Sequence, residues 1–246
     1  MKESEFKRIK QKIQNMDPLR WWGDDFDVRF YLVYKLKKIK NKKILDIGGG
    51  IGIISSELDK SNFRINLDSS FNDLIKSKNV VDSQIETICA SMTNLPFSND
   101  TFDYVICANI LEVAKSFDIK SNNQNEIVDS FPSVEFVLSE SNRIMNKNGK
   151  LFVTTPNNEY FQANKMNYSE LKHSLEKIFS NFSLWFYNSY PRISKKYRKL
   201  NFANIFPKFL SKIIDDESIF EKMLKPDKGL KKSSVWFYVE VMKNNV

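Results

Sequence analysis

Apolar residues recur along the chain at two periods, and the two alternate. Phe6, Ile9, Ile13 and Met16 stand three or four apart, which predicts an amphipathic helix ended by Asp17-Pro18. Residues 28–39 predict a second helix. KKILDIGG (42–49) is then a short unbroken apolar run ending in glycines, the pattern of a strand buried on both faces. Residues 51–60 predict a helix, RINLDSS (64–70) a strand and 72–78 a short helix. IETICAS (85–91) and FDYVICAN (102–109) predict the third and fourth strands, and the polar stretch 115–130 a loop. Residues 133–146 put Val134, Val137, Leu138, Ser141, Ile144 and Met145 on one helical face. Asn148-Gly149 then turns the chain into a fifth strand, 151–156. Tyr168–Phe179 predicts a helix with Leu171, Leu175, Ile178 and Phe179 inward, and 182–190 and 234–242 predict two more strands.

Strands alternating with helices at this spacing mean βαβ units and a parallel sheet, an α/β fold. Two stretches stand apart by charge. Residues 1–42 hold 12 Lys+Arg against 6 acids, and residues 192–232 hold 12 against 5, so the body of this +8 chain is acidic. Four parts follow: an N-terminal helical, basic segment (1–41), a core (42–191), a basic insertion between the last two strands (192–232) and the last strand of the core (233–246).

Composition narrows the chemistry. Apolar residues at 41% exclude wholesale disorder. Two cysteines, Cys89 and Cys107, exclude a disulfide framework and a cysteine-rich zinc site. The single histidine, His173, argues against His-based metal clusters and a Ser-His-Asp triad, and no metal is expected. No apolar run approaches the roughly 18 residues of a membrane span, and no secretory h-region opens the chain. A reducing, cytoplasmic setting is the expectation, with a membrane surface as an alternative place of contact.

The most informative segment is Asp46-Ile-Gly48-Gly49-Gly50-Ile-Gly52, after an apolar strand and before a helix. Glycines here allow a tight turn and close approach of a ligand. A dinucleotide enzyme of the Gly-x-Gly-x-x-Gly type needs glycine at 53, where Ile53 stands. About 20 residues on, Asp68 closes the second strand, where a carboxylate can accept both hydroxyls of a ribose. Capping of the next helix by Asp68, Ser69 or Ser70 is the structural alternative. Together these features point to a nucleoside-containing ligand bound without a pyrophosphate cradle.

In these segments the sequence resembles the class I S-adenosylmethionine (SAM) methyltransferases of the small-molecule type. KKILDIGGGIG looks like that family's first motif and INLDSS like its second. CASMTNLPFSNDTFDYVICANILEV looks like the stretch from third to fourth strand, and ESNRIMNKNGKLFVTTPN like the helix, turn and fifth strand that close the core. The resemblance runs from about 42 to 158. It implies a Rossmann-like three-layer α/β/α sandwich with a seven-stranded, mostly parallel sheet, order 3-2-1-4-5-7-6, strand seven antiparallel. It implies S-adenosyl-L-methionine as cofactor and S-adenosyl-L-homocysteine as product. By the same resemblance, Asp46 and Gly48 lie near the methionine moiety, and Gly50 and Gly52 flank the close approach. Asp68, with Ser69 beside it, holds the ribose. Ser91 and Met92 border the adenine, and Asn109 and Leu111 lie under the methionine end.

The sequence departs from the family at two places: Ser91 stands where Asp is usual, and Val113 where His is frequent. The Asn/Asp-Pro-Pro-Tyr signature of amino-directed methylation is absent after the fourth strand. Trp21-Trp22 and Arg29 resemble the segment preceding the core in quinone-pathway O-methyltransferases, where an aromatic and an arginine approach the cofactor; by this resemblance Arg29 pairs with the methionine carboxylate, the alternative being a surface arginine on an N-terminal helix. The expected reaction is methyl transfer to a small-molecule, lipid- or glycan-type acceptor, at oxygen. His173, Glu112 and Tyr160 are the candidates for a base, and none is singled out. Residues 192–232 interleave Phe202, Phe206, Phe209, Leu210, Ile213 and Ile214 with lysines and arginines. They suit a cap over the active site, an anionic membrane surface or RNA. The alternatives in function are an RNA or protein methyltransferase docked through the basic segments, and a non-catalytic SAM-fold protein that binds a partner.

Overall fold

The computed structural model describes residues 32–33, 35–80, 84–121, 132–158, 166–187, 224–226 and 236–243. The helix expected at 6–16, Trp21, Trp22, Arg29 and Tyr160 lie outside them, as does most of 192–232.

The strands are β1 (Lys43–Ile47), β2 (Phe63–Asp68), β3 (Ile85–Cys89), β4 (Phe102–Ala108), β5 (Met145–Pro156), β6 (Phe182–Tyr187), β7 (Leu224–Pro226) and β8 (Trp236–Met242). The helices are α1 (Ile53–Glu57), α2 (Phe71–Val80), α3 (Leu111–Ser121), α4 (Pro132–Ile144) and α5 (Tyr168–Ile178). All eight strands form one sheet in the order β3-β2-β1-β4-β5-β8-β6-β7. β3 through β5 run parallel, and β8 lies antiparallel between β5 and β6. This is the expected seven-stranded order, with β8 as the expected strand seven. A short eighth strand, β7, adds to the edge of β6 from inside the basic insertion. Its Pro226 is tolerated because an edge strand leaves one row of amides unpaired.

Alternation along the strands divides the interior in two. Leu45, Ile47, Val105, Cys107, Leu151 and Val153 face the side covered by α3, α4 and α5. Ile44, Ile106, Phe152 and Tyr238 face the other side, against Leu32, Leu36 and α1. The inward faces read from the 3.6 period are the buried ones: Val134, Val137, Leu138 and Ser141 of α4, and Leu171 and Leu175 of α5. Asn167 and Glu170 cap α5 reciprocally.

Three expectations are corrected. The first helix is shorter than 51–60, because Gly50 and Gly52 hold positive φ before it and Leu58 is extended after it. Residues 115–121, expected in a loop, belong to α3: Leu111 and Ala114 bury into the core and pull a polar stretch into helix. β5 begins at Met145 rather than 151, although its pairing with β4 is irregular between Phe102 and Tyr104.

The expected third-to-fourth-strand stretch is pinned from α4. Glu140 Oε2 accepts from the Leu95 amide at 2.9 Å. Arg143 donates to the carbonyls of Phe97 (2.7 Å) and Leu95 (3.1 Å) and to Glu140 itself. Phe97 then meets Phe102 edge to face at 4.9 Å.

Candidate functional site

In an open parallel sheet, ligands bind beyond the carboxyl ends of the strands, where the strand order reverses. Here the reversal lies between β1 and β4, and the glycine turn leaves β1 at that point. Gly48, Gly50 and Gly52 have φ of 67, 56 and 74°, which glycine adopts without strain. The turn is also packed too tightly for side chains. A Cβ on Gly49 would stand 2.1 Å from Asn66 Oδ1, and one on Gly48 2.3 Å from Ile110 Cγ2.

The amides of the turn are spent within the protein. Gly48 and Gly49 donate to the Leu67 carbonyl, and Gly52 donates to the Gly49 carbonyl. Gly50 donates to Asp68 Oδ2 at 2.8 Å. A pyrophosphate cradle needs such amides free, so the geometry agrees with the reading drawn from Ile53.

Asp68 is half-buried at the end of β2. Its Oδ1 accepts from the Ser70 amide at 2.8 Å, and the Ser70 hydroxyl accepts from the Asp73 amide at the start of α2. Ser70 therefore caps α2, while Asp68 ties the glycine turn to the β2–α2 turn. Each carboxylate oxygen keeps a further lone pair, so Asp68 can hold the turn and still accept from a ligand hydroxyl. Ser69 is exposed beside it.

Asp46 is buried on β1 and accepts from the Ser55 hydroxyl of α1 at 3.0 Å. Its neighbour in register, Asn66, donates to the Gly50 carbonyl at 2.9 Å. Asp46 and Asn66 thus support the turn from beneath. Ser91 is exposed after β3; it shares a 2.9 Å hydrogen bond with the Thr93 hydroxyl and accepts from the Thr93 amide. Met92 is half-buried against the core.

Past β4, Asn109 adopts a left-handed φ of 58°. Its amide donates to the Thr154 carbonyl, and its Oδ1 accepts from the Thr154 hydroxyl at 3.1 Å. Its Nδ2 is buried and has no hydrogen-bond partner among the described residues. Leu111 is wholly enclosed in the core below. Glu112, in the first turn of α3, accepts from the Thr155 hydroxyl of β5 at 3.3 Å. Ser55, Asn66, Thr154 and Thr155 were not anticipated from sequence. Their signal was a polar residue on an otherwise apolar strand or helix face.

His173 is exposed on α5. Of the two thiols, Cys89 is exposed at the end of β3 and Cys107 is buried. Burial pushes the Cys107 thiol up to about 12, against the lowering effect of its hydrogen bond with Ser141. A half-open cavity of about 340 Å³ lined by Asp100, Lys147, Phe179 and Lys243 lies at the opposite, amino end of the sheet.

Residues 45–153 match the family model described as a methyltransferase domain. This stretch resembles methyltransferase domains in sequence, and the fold around it is that of solved SAM-dependent methyltransferases. An uncharacterised protein of Methanocaldococcus jannaschii is 32% identical over 153 residues, 61% of this chain and 52% of that protein. The ubiquinone biosynthesis O-methyltransferase of Pelagibacter ubique is 29% identical over 149 residues, 59% of this chain and 55% of that enzyme. The chain thus spans about half the length of these curated relatives. The solved structure of a SAM-dependent methyltransferase of Thermotoga maritima shares the fold, with a TM-score of 0.56 and 16% identity, covering 96% of this chain and 99% of that one. No helix among the described residues is long and apolar enough to cross a membrane.

The residues present fit the family's cofactor. A glycine turn with no room for a side chain at Gly48 or Gly49, and with its glycine amides already used, suits a nucleoside bearing no phosphate. Asp68 retains acceptor capacity for hydroxyls. The unsatisfied Asn109 Nδ2 supplies a donor at the β4 end, where a buried donor without a partner costs about 1–3 kcal/mol until one arrives.

Proposed function

We propose that this chain transfers a methyl group from S-adenosylmethionine to oxygen of a small-molecule, lipid- or glycan-type acceptor. The observation that carries the reading is the Asp68–Gly50 hydrogen bond at 2.8 Å. It holds the Asp68 carboxylate, with acceptor capacity to spare, against a turn that has no room for a side chain at Gly48 or Gly49.

In this reading Asp68, with Ser69 beside it, accepts from the ribose hydroxyls, and Ser91 and Met92 border the adenine. Asp46 and Asn66 hold the shape of Gly48–Gly52 from below. Asn109 and Glu112 stand at the methionine end, in front of Leu111. The bound sulfonium supplies an already activated methyl with a neutral leaving group. The protein's part is then alignment and exclusion of water, worth several kcal/mol. The preference for oxygen is supported by the relative that is an O-methyltransferase. For the basic segments 1–42 and 192–232 we propose contact with an anionic partner, tested by the salt dependence of its binding.

Calorimetry with SAM and S-adenosylhomocysteine tests the reading. Wild type should bind both in the micromolar range, about −8 kcal/mol. Asp68→Ala should lose both while circular dichroism shows a folded protein. No binding by folded wild type would overturn it.

A further inference from the structure

Asn109 and Ile110 alone connect β4 to α3. Ile110 lies against the glycine turn, where its Cγ2 takes the space that a side chain on Gly48 would need. Asn109 is fastened to β5 twice. Its main-chain amide donates to the Thr154 carbonyl at 2.8 Å, and its Oδ1 accepts from the Thr154 hydroxyl at 3.1 Å. Thr154 is wholly buried. Asn109 holds a left-handed φ of 58°, which asparagine tolerates and which clusters at ligand sites. The carboxamide is thereby divided. Its oxygen is used by β5, while its nitrogen is buried with no partner among the described residues. An amide nitrogen donates and does not accept, so the partner it lacks is an acceptor.

We infer that Asn109 Nδ2 donates to the carboxylate of the cofactor's amino-acid moiety, and that Thr154 is the positioning residue that keeps the nitrogen, and not the oxygen, turned to that ligand. This rests on the function proposed above. The amino-acid moiety offers an ammonium, which only donates, and a carboxylate, which only accepts. A carboxamide presenting nitrogen pairs with the carboxylate; one presenting oxygen pairs with the ammonium. The orientation of Asn109 therefore decides which of the two groups the end of β4 reads. A donor facing a carboxylate forms a charge-assisted hydrogen bond, stronger than a neutral one. The nucleoside portion takes no part in this contact.

Three probes separate the parts of the cofactor: S-adenosylhomocysteine, its decarboxylated analogue, which keeps the amine, and methylthioadenosine, which lacks the amino-acid moiety. Each is measured by calorimetry on the full chain, with circular dichroism to show that every variant is folded. Asn109→Asp keeps an acceptor for the Thr154 hydroxyl but exchanges the donor for a negative oxygen. Asn109→Gly keeps the left-handed turn and removes the donor. Both should weaken S-adenosylhomocysteine roughly tenfold or more and leave methylthioadenosine and the decarboxylated analogue within about twofold. Thr154→Val should reproduce part of that loss, and Thr154→Ser should restore wild-type binding. Equal weakening of all three probes would show that Asn109 only shapes the site, and would overturn the inference. So would unchanged S-adenosylhomocysteine binding, or tighter binding of the decarboxylated analogue to Asn109→Asp, which would mean that an oxygen faces the amine. Each of these leaves the functional reading standing. Absence of binding of all three probes to folded wild type would overturn the functional reading and the inference with it.

Discussion

Asn66 Oδ1 occupies the space that a side chain on Gly49 would need, 2.1 Å from where its Cβ would lie. The two are locked together, because Asn66 is wholly buried and its Nδ2 already donates to the Gly50 carbonyl at 2.9 Å. It cannot swing away without stranding that carbonyl.

Gly49→Ala should therefore destabilise the protein by roughly 2–3 kcal/mol, the upper range for overpacking, read as a shift in the urea midpoint. Combining it with Asn66→Ser removes the nearer clashing oxygen and leaves Asp46 Oδ2, 2.8 Å from the same Cβ, so the double variant should be less destabilised than the sum of the two singles. Simple additivity would show that the turn relaxes without meeting Asn66.

The stretch between the third and fourth strands depends on a partnership within α4. Glu140 and Arg143 are three residues apart, and together they hold the Leu95 amide and the Leu95 and Phe97 carbonyls. The Arg143 hydrogen bond is the largest cause holding the Glu140 carboxyl below its ordinary value; desolvation opposes it and the Leu95 amide adds to it. A depressed carboxylate contributes stability that is present above its unfolded value, about 4.3, and is lost as the pH falls through the folded one. Glu140→Gln should thus lower the urea midpoint at neutral pH, and the gap from wild type should close as the pH falls below about 4. Arg143→Ala should cost about 1–2 kcal/mol at neutral pH through its lost carbonyl partners. A gap independent of pH would show that charge on Glu140 does not matter.

These residues also mark what the sequence makes legible. The strand order, the glycine turn and the buried faces of α4 and α5 are written in periods of 2 and 3.6, and burial enforces them. Glu140 and Arg143, by contrast, look like any solvated pair one turn apart. Only the fold brings Leu95 to them. Residues 115–121 are polar enough to read as loop, yet Ala114 and Lys115 are buried and the helix follows from that tertiary contact. β7 is only three residues long, which leaves no side-chain period to find. At the site, Asp68 was open between cap and ligand acceptor. A carboxylate has lone pairs for both, and here the helix cap itself falls to Ser70.

The two thiols differ in environment enough to be told apart by chemistry. Cys107 is fully buried on β4 against Ser141, and burial, with a smaller contribution from Asp46, raises it to about 12. Only the thiolate is a good nucleophile. N-ethylmaleimide at neutral pH should therefore label native protein once, on Cys89, and label Cys107 only after denaturation. Mass spectrometry of the peptides reads the result directly. Native labelling of Cys107 at a comparable rate would mean that the β4–α4 packing opens readily.

Lys115 and Glu170 fasten α3 to α5 beside the strand ends that carry Glu112 and Thr155. The lysine side chain is only 6% exposed, and its Nζ lies 2.7 Å from Glu170 Oε2. The same oxygen accepts from the Asn167 amide at 2.9 Å and so closes the capping box of α5. The two partners are not equivalent. Removing the lysine leaves a carboxylate that is 23% exposed and still holds Asn167. Removing the glutamate takes the carboxylate from a buried ammonium and opens the cap. Glu170→Ala should cost roughly 3 kcal/mol, against about 1 kcal/mol for Lys115→Met, by chemical denaturation. Equal costs for the two substitutions would show that the lysine's burial is compensated elsewhere and that the clasp is not what joins α3 to α5.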